Sequence, residues 1–197
     1  MKKLLKWTAF VLILLGTFSL LRDRQTLNRG LVRLHVVSAS DSEADQALKL
    51  RVRDAVLECV DSLGDPQTVE EAKALLEANL PAITEAANRT LDGLDTATVT
   101  LCREAFPIRE YDSFTLPSGV YESLRVKIGQ AQGRNWWCVV FPSLCIPATG
   151  ENIDSVAAGA GFSETLTEAI TAPKTEVSFF LLDLLGKAES FLFSMFH

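Results

Sequence analysis

Residues Gly129–Pro147 read GQAQGRNWWCVVFPSLCIP, and the fold turns on this stretch. It holds two of the three tryptophans and two of the four cysteines. Gly129 and Gly133 frame a polar turn, followed by Asn135, the pair Trp136–Trp137, Cys138, the apolar run Val139–Phe141, Pro142 and Cys145. Adjacent side chains of a strand point to opposite faces. Only one of Trp136 and Trp137 can therefore face a given core, and the other needs a second layer or a partner. Just upstream, Leu124, Val126 and Ile128 alternate with Arg125 and Lys127, which predicts a strand. Two strands joined by a short glycine-containing loop predict a hairpin.

Working back from there, Leu116-Pro117-Ser118-Gly119 reads as a turn, and Ala97, Val99 and Leu101 alternate with Thr98, Thr100 and Cys102 as a further strand. The preceding segment is helical. Ser42, with Asp45 three residues on, predicts a capped helix to about Ser62, ended by Gly64 and Pro66. Thr68 and Glu71 predict a second helix. Leu80-Pro81 interrupts its pattern, so Asn79 is expected to cap a third helix reaching about Leu91. Val32, Leu34 and Val36 alternate with Arg33 and His35, which predicts a strand with one buried face. One strand, then helices, then a run of strands predicts an α+β fold: an N-terminal strand and two to three helices on a mainly antiparallel sheet.

The two ends are apolar. Lys2, Lys3 and Lys6 precede Trp7–Leu21, an uncharged run of fifteen residues. At about 1.5 Å per residue it reaches roughly 22 Å, short of a ~30 Å hydrocarbon core. It reads as an export signal, either cleaved or kept as an N-terminal anchor. Arg22–Gly30 reads as a linker. Glu151–Thr171 reads as a loop with a short helix after Ser163. From Val177 the tail is strongly apolar but broken by Asp183, Lys187 and Glu189. It suits a docking helix that closes the core, with an interfacial membrane helix as the alternative.

With 48% hydrophobic and 22% charged residues, the chain has the composition of a globular domain. The net charge of −6 is uneven. Residues 1–24 carry five basic side chains against Asp23, a net of +4, which leaves −10 for the rest (−6 minus +4). So acidic a body argues against a nucleic-acid partner. Export permits disulfides. Cys138 and Cys145, with Pro142 between them, are the favoured pair; four buried thiols are the alternative.

Little points to catalysis. The histidines are His35, on a strand beside Arg33 and expected to be solvated, and His197 at the last position. The cysteines lack C-x-x-C spacing, and Gly129-x-x-x-Gly133 is not followed by Lys-Ser/Thr. No catalytic residue, cofactor or metal is expected.

The combination Leu116-Pro117-x-Gly119-x-Tyr121, Leu124-Arg125-Val126, Ile128-Gly129 and Gly133-x-Asn135-Trp136-Trp137-Cys138-Val139-Val140-Phe141-Pro142, with Cys145, resembles the stage II sporulation protein R family. RLHVVSASDSEADQALKLRVRDAV and the N-terminal export segment resemble that family's opening. The likeness covers roughly residues 31–147, and EVSFFLLDLLG fits it more loosely; Ser38 and Ser40 depart from a more asparagine-like turn. The resemblance implies a protein exported from the forespore into the space between forespore and mother-cell membranes. It would activate a membrane-embedded aspartic protease, which processes the mother-cell sigma-factor precursor. Residues 1–24 would then be a signal peptide or membrane anchor, 31–147 an α+β signalling domain, 148–173 a loop and 174–197 the docking tail. Arg134, Asn135, Trp136, Trp137 and Tyr121 are the expected partner-binding residues, because interface hot spots favour Trp, Tyr and Arg. The opposing possibility is that both tryptophans only seal the core. A cell-envelope structural protein or a cell-wall enzyme is the alternative function.

Overall fold

Val32–Val37 forms strand β1, and all six of its residues are buried. A computed structural model describes residues 2–111, 114–142, 157, 160–171 and 177–196 of the chain. Helix α1 (Lys2–Gly30) leads into β1. Helices α2 (Glu43–Ser62) and α3 (Val69–Leu91) follow, then strands β2 (Ala97–Phe106), β3 (Arg109–Glu110), β4 (Thr115–Leu116), β5 (Gly119–Ile128) and β6 (Asn135–Phe141). Helices α4 (Glu164–Thr171) and α5 (Val177–Phe196) close the chain.

The main sheet has the order β2-β5-β1-β6. Strand β1 runs parallel to β5 and antiparallel to β6, and β2 is antiparallel to β5. The expected α+β class with a mainly antiparallel sheet holds. The expected hairpin does not: β1 lies between β5 and β6, which are not hydrogen-bonded to each other. Residues 129–134 step across the end of β1, two strand spacings or about 10 Å, which six residues cover easily. The step is anchored on the β1–α2 loop, where Gly133 N donates to Ser38 O at 3.0 Å and Gln132 N to Ala39 O at 3.2 Å. A Cβ on Gly133 would stand 2.1 Å from Ser40 O, so this approach requires glycine.

A central strand needs cover on both faces, and β1 has it. On the first face, Leu34, Val36, Leu124 and Val126 pack against Val52 and Val56 of α2 and Leu76 and Ile83 of α3. On the second, Phe106, Tyr121 and Val139 pack against Leu27 of α1, Leu166 of α4 and Leu182 of α5. Each such side chain contributes about 1.5–3 kcal/mol by leaving water. The expectation of one buried face on β1 is therefore corrected: Arg33 and His35 lie under the second layer. A register shift at Val32/Arg33 lets Val140 and Phe141 both join the first core.

The helix starts agree with their caps. Ser42 Oγ accepts from Asp45 N at 3.1 Å, and Thr68 Oγ1 from Glu71 N at 3.2 Å. Two boundaries differ. First, α3 runs unbroken through Pro81, whose side is exposed, so the carbonyl left without a donor meets water. Asn79 lies inside the helix and donates to Leu75 O at 2.8 Å instead of capping a new one. Second, Arg22–Gly30 is helical, not a linker, because Arg24, Leu27 and Asn28 are buried against the domain. Among the described residues no helix is long and apolar enough to cross a membrane.

The tail forms helix α5, one side of which packs on the domain. Phe179, Leu182, Asp183 and Gly186 of α5 face inward. Asp183 Oδ1 accepts from Ser118 N at 2.9 Å and Ser118 Oγ at 2.6 Å, and Lys187 Nζ lies 2.9 Å from Asp183 Oδ2. Burial pushes the Asp183 carboxyl up, but the bonds from Ser118 and Lys187 outweigh it and hold it below its ordinary value. Arg24 of α1 donates to Leu182 O at 2.8 Å and pairs with Glu189, which also accepts from Asn28 at 2.9 Å. The Leu116–Gly119 turn is thus the seat on which α1 and α5 meet.

A Cβ on Gly186 would stand 1.6 Å from Ser118 O. Alanine gains about 1 kcal/mol of helix propensity over glycine, but this obstacle is backbone and cannot rotate away. Overpacking of this kind costs about 1–3 kcal/mol. Gly186→Ala is therefore expected to lower stability in urea unfolding by about 1–2 kcal/mol and to speed proteolysis within 177–196. An unchanged or more stable variant would show that α5 does not sit on Ser118.

Candidate functional site

The NWWC block forms β6, at the edge of the sheet next to β1. Its start is held by three clamps on Arg134. Asp41 Oδ1 accepts from Arg134 N at 2.6 Å, while Lys49 Nζ and Ser38 Oγ donate to Arg134 O at 3.0 and 3.3 Å. Burial and the Arg134 guanidinium lower the Lys49 pKa, against an opposing pull from Asp41. The Arg134 and Asn135 side chains stand exposed on this fixed post, with Arg134 Nε 3.5 Å from Asp41 Oδ1.

The two tryptophans diverge as strand geometry requires. Trp136 packs on the first core, and the Arg53 guanidinium lies 4.7 Å from its ring centre. Trp137 packs on the second core, stacked on His35 at 3.8 Å and edge-on to Phe106 at 4.7 Å, with Arg109 at 5.5 Å from its ring. Both are half-buried. A second layer therefore covers the face that composition left open, and Trp137 Nε1 is buried with no partner among the described residues.

Behind Trp137 lies a polar cluster. His35 Nδ1 is 3.1 Å from both Glu104 oxygens, and Nε2 is 2.9 Å from Asn135 Oδ1. Glu104 also accepts from Ser123 and lies 3.5 Å from Arg125 Nε. Burial pushes the Glu104 carboxyl up. The hydrogen bonds from His35 and Ser123 and the charges of His35 and Arg125 outweigh it, so the carboxyl sits below its ordinary value. Arg33, 0% exposed, faces the rings of Phe106 at 4.0 Å and Tyr121 at 4.9 Å, and its Nη2 donates to Tyr111 at 2.9 Å. Its Nε and Nη1 have no partner among the described residues. Ring faces attract a desolvated guanidinium, so the aromatics do part of what a carboxylate would.

The cluster is built as a clamp. In a nucleophile–histidine–acid relay, the second imidazole nitrogen faces a hydroxyl or thiol. Here it faces an amide oxygen, and the serine binds the carboxylate instead. The nearby Cys102 thiol is pushed up by burial and by Glu104, the opposite of an activated nucleophile. His35, expected to be solvated, is a buried brace for Trp137 and Asn135.

Of the five expected contact residues, four line one rim. Tyr121 is fully buried, donates to Pro117 O at 2.8 Å and has its phenol pushed up to about 12 by burial. It is a core residue and presents nothing to a partner. Of the favoured cysteine pair, Cys138 is buried in the first core, and Cys145 lies outside the described residues, as do 143–156. Cys59 and Cys102 are free thiols. Sequence reasoning missed Asp41, Lys49 and Glu104. The available signal was the apolar tail, which needed a surface and could have indicated a covered second face.

The lowered Glu104 pKa has a definite sign. The folded state binds fewer protons here than the unfolded chain, so the benefit is full above the ordinary value of 4.5 and is lost as pH falls through the folded value. Glu104→Gln is expected to cost about 1–3 kcal/mol at pH 7, measured by urea unfolding. The gap from the parent protein should narrow as pH drops below 4.5. A gap independent of pH would contradict the pairing.

A family model described as stage II sporulation protein R matches residues 28–150. The chain is 31% identical over 178 residues to the stage II sporulation protein R of Bacillus subtilis (strain 168), across 79% of this chain and 80% of that protein. No solved structure gives a significant match. The matched segment runs from the end of α1 through β6 and takes in the whole main sheet and the rim. On these two matches, the chain belongs to the stage II sporulation protein R family.

Proposed function

We propose that this protein is exported from the forespore and activates a membrane-embedded aspartic protease by presenting the rim of β6. Family membership makes it a sporulation signalling protein. Export, the protease and processing of the mother-cell sigma-factor precursor are what the family resemblance adds. The observation that carries the contact proposal is the rim itself. Arg134 and Asn135 are exposed, the Arg134 backbone is tied to α2 and the β1–α2 loop, and a half-buried tryptophan follows on each face of the strand. Preorganised Trp and Arg side chains bind with little loss of conformational entropy. In this scheme the catalytic aspartates belong to the partner. The α1 segment serves as the signal or anchor that places the domain in the intermembrane space. A Cys138–Cys145 bridge would tie the end of β6 to the segment after it, and it is supported by the two remaining cysteines being free.

Reconstitution in a non-sporulating bacterial host tests this. The exported protein, the protease and the sigma-factor precursor are co-expressed, and precursor size is followed on a gel. Cleavage should depend on this protein. Arg134→Glu, at an exposed side chain, should leave folding intact and reduce cleavage by about ten-fold, the size of a modest hot spot. Cleavage that ignores the protein would overturn the activator role. Full cleavage with both Arg134→Glu and Trp136→Ala would overturn the rim as its contact.

A further inference from the structure

The inner face of α5 is accounted for by the domain, but its outer face is not. Phe180, Leu184, Phe191 and Met195 fall on one outward stripe, with Leu181 and Leu192 beside it. Phe180 is 59% and Phe191 64% exposed. The residues span about four turns, so the stripe is an apolar ridge interrupted by Lys187 rather than scattered exposure.

Two further features indicate what covers it. The first is continuity. The Arg24–Glu189 pair, the Asn28–Glu189 bond and the Arg24 bond to Leu182 O lock α5 beside the end of α1. Within three residues of Arg24, α1 becomes the apolar run whose Phe18 and Leu21 are likewise exposed. The second is charge. The protein is acidic beyond residue 24, yet the carboxylates of α5 turn away from the ridge. Asp183 is buried and bonded to Ser118 and Lys187, and Glu189 is half-buried against Arg24 and Asn28. The one charge left on the outward side of α5 is Lys187, which helical spacing places on the stripe between Leu184 and Phe191, with its ammonium 2.9 Å from Asp183 Oδ2. An apolar ridge free of carboxylates and carrying one lysine suits the headgroup boundary of an anionic bilayer.

From this geometry we infer that the outer face of α5 lies on a lipid bilayer surface, beside the segment of α1 that enters the same membrane. This extends the proposed function, because it rests on α1 acting as a membrane segment. It also adds a constraint: the domain is held by two elements, which fixes which side of it the membrane occupies.

Photolabelling of the full-length protein in vesicles of phosphatidylglycerol and phosphatidylethanolamine tests it. A carbene-generating lipid probe is activated, and the adducts are mapped by mass spectrometry. Adducts are expected both in residues 7–21 and on the outward residues of 177–196. The double variant Leu184→Asp/Phe191→Asp, altered only on the exposed face, should lose at least about ten-fold of the 177–196 labelling and keep that of 7–21. Labelling of 7–21 alone in the parent protein would overturn the inference while sparing the anchor, and a tail-to-tail crosslink between copies in that case would assign the ridge to self-association. Labelling of neither segment would overturn both.

Discussion

Strand β1 is buried on both faces and carries Arg33 and His35 on one of them, and much of the molecule answers that constraint. A guanidinium and an imidazole removed from water need compensation, or the strand could not stay in the middle of the sheet. Glu104 and Asn135 bracket the imidazole and Trp137 stacks on it. Phe106, Tyr121 and Tyr111 enclose the guanidinium. These partners come from β2, β5, β6 and the β3–β4 region. Residues distant in sequence therefore converge behind the NWWC strand, which binds the rim to the core: Asn135, exposed at the surface, is one hydrogen bond from a buried histidine.

The first face was legible in the sequence because it follows simple periodicity. Leu34, Val36, Leu124 and Val126 read correctly, as did Ser42 and Thr68 as caps. The second face was not. The alternation of Arg33 and His35 with aliphatic residues is what a half-exposed strand looks like, and local pattern cannot reveal that helices from both ends of the chain return to cover it. The hairpin expectation failed for a related reason. A glycine-bearing loop between two strands indicates that they are antiparallel, and β5 and β6 are; it does not say whether a third strand lies between them. Pro81 broke the expected helix on paper, but its exposed position makes the lost hydrogen bond tolerable.

The candidate site was half legible. The rarity of an adjacent tryptophan pair singled out β6, and four of the five expected contact residues do share its rim. Tyr121 was placed there on residue type alone. Its register opposite Glu104 on β2 puts it inside the second core, where Phe106 meets it edge-on at 5.8 Å. Lys49 and Asp41, which fix the backbone at Arg134, could not be found from sequence, because their role depends on α2 passing next to the end of β1.

Site-specific crosslinking tests the central claim most directly. A photoactivatable benzoylphenylalanine is placed at Arg134 in one protein and at Glu85, on the exposed outer side of α3, in another. Each is exported beside the membrane protease and irradiated. A contact through the rim of β6 predicts a crosslinked product from position 134 and none from 85. Crosslinking from 85 with none from 134 would contradict it and move the partner surface to the opposite layer of the molecule.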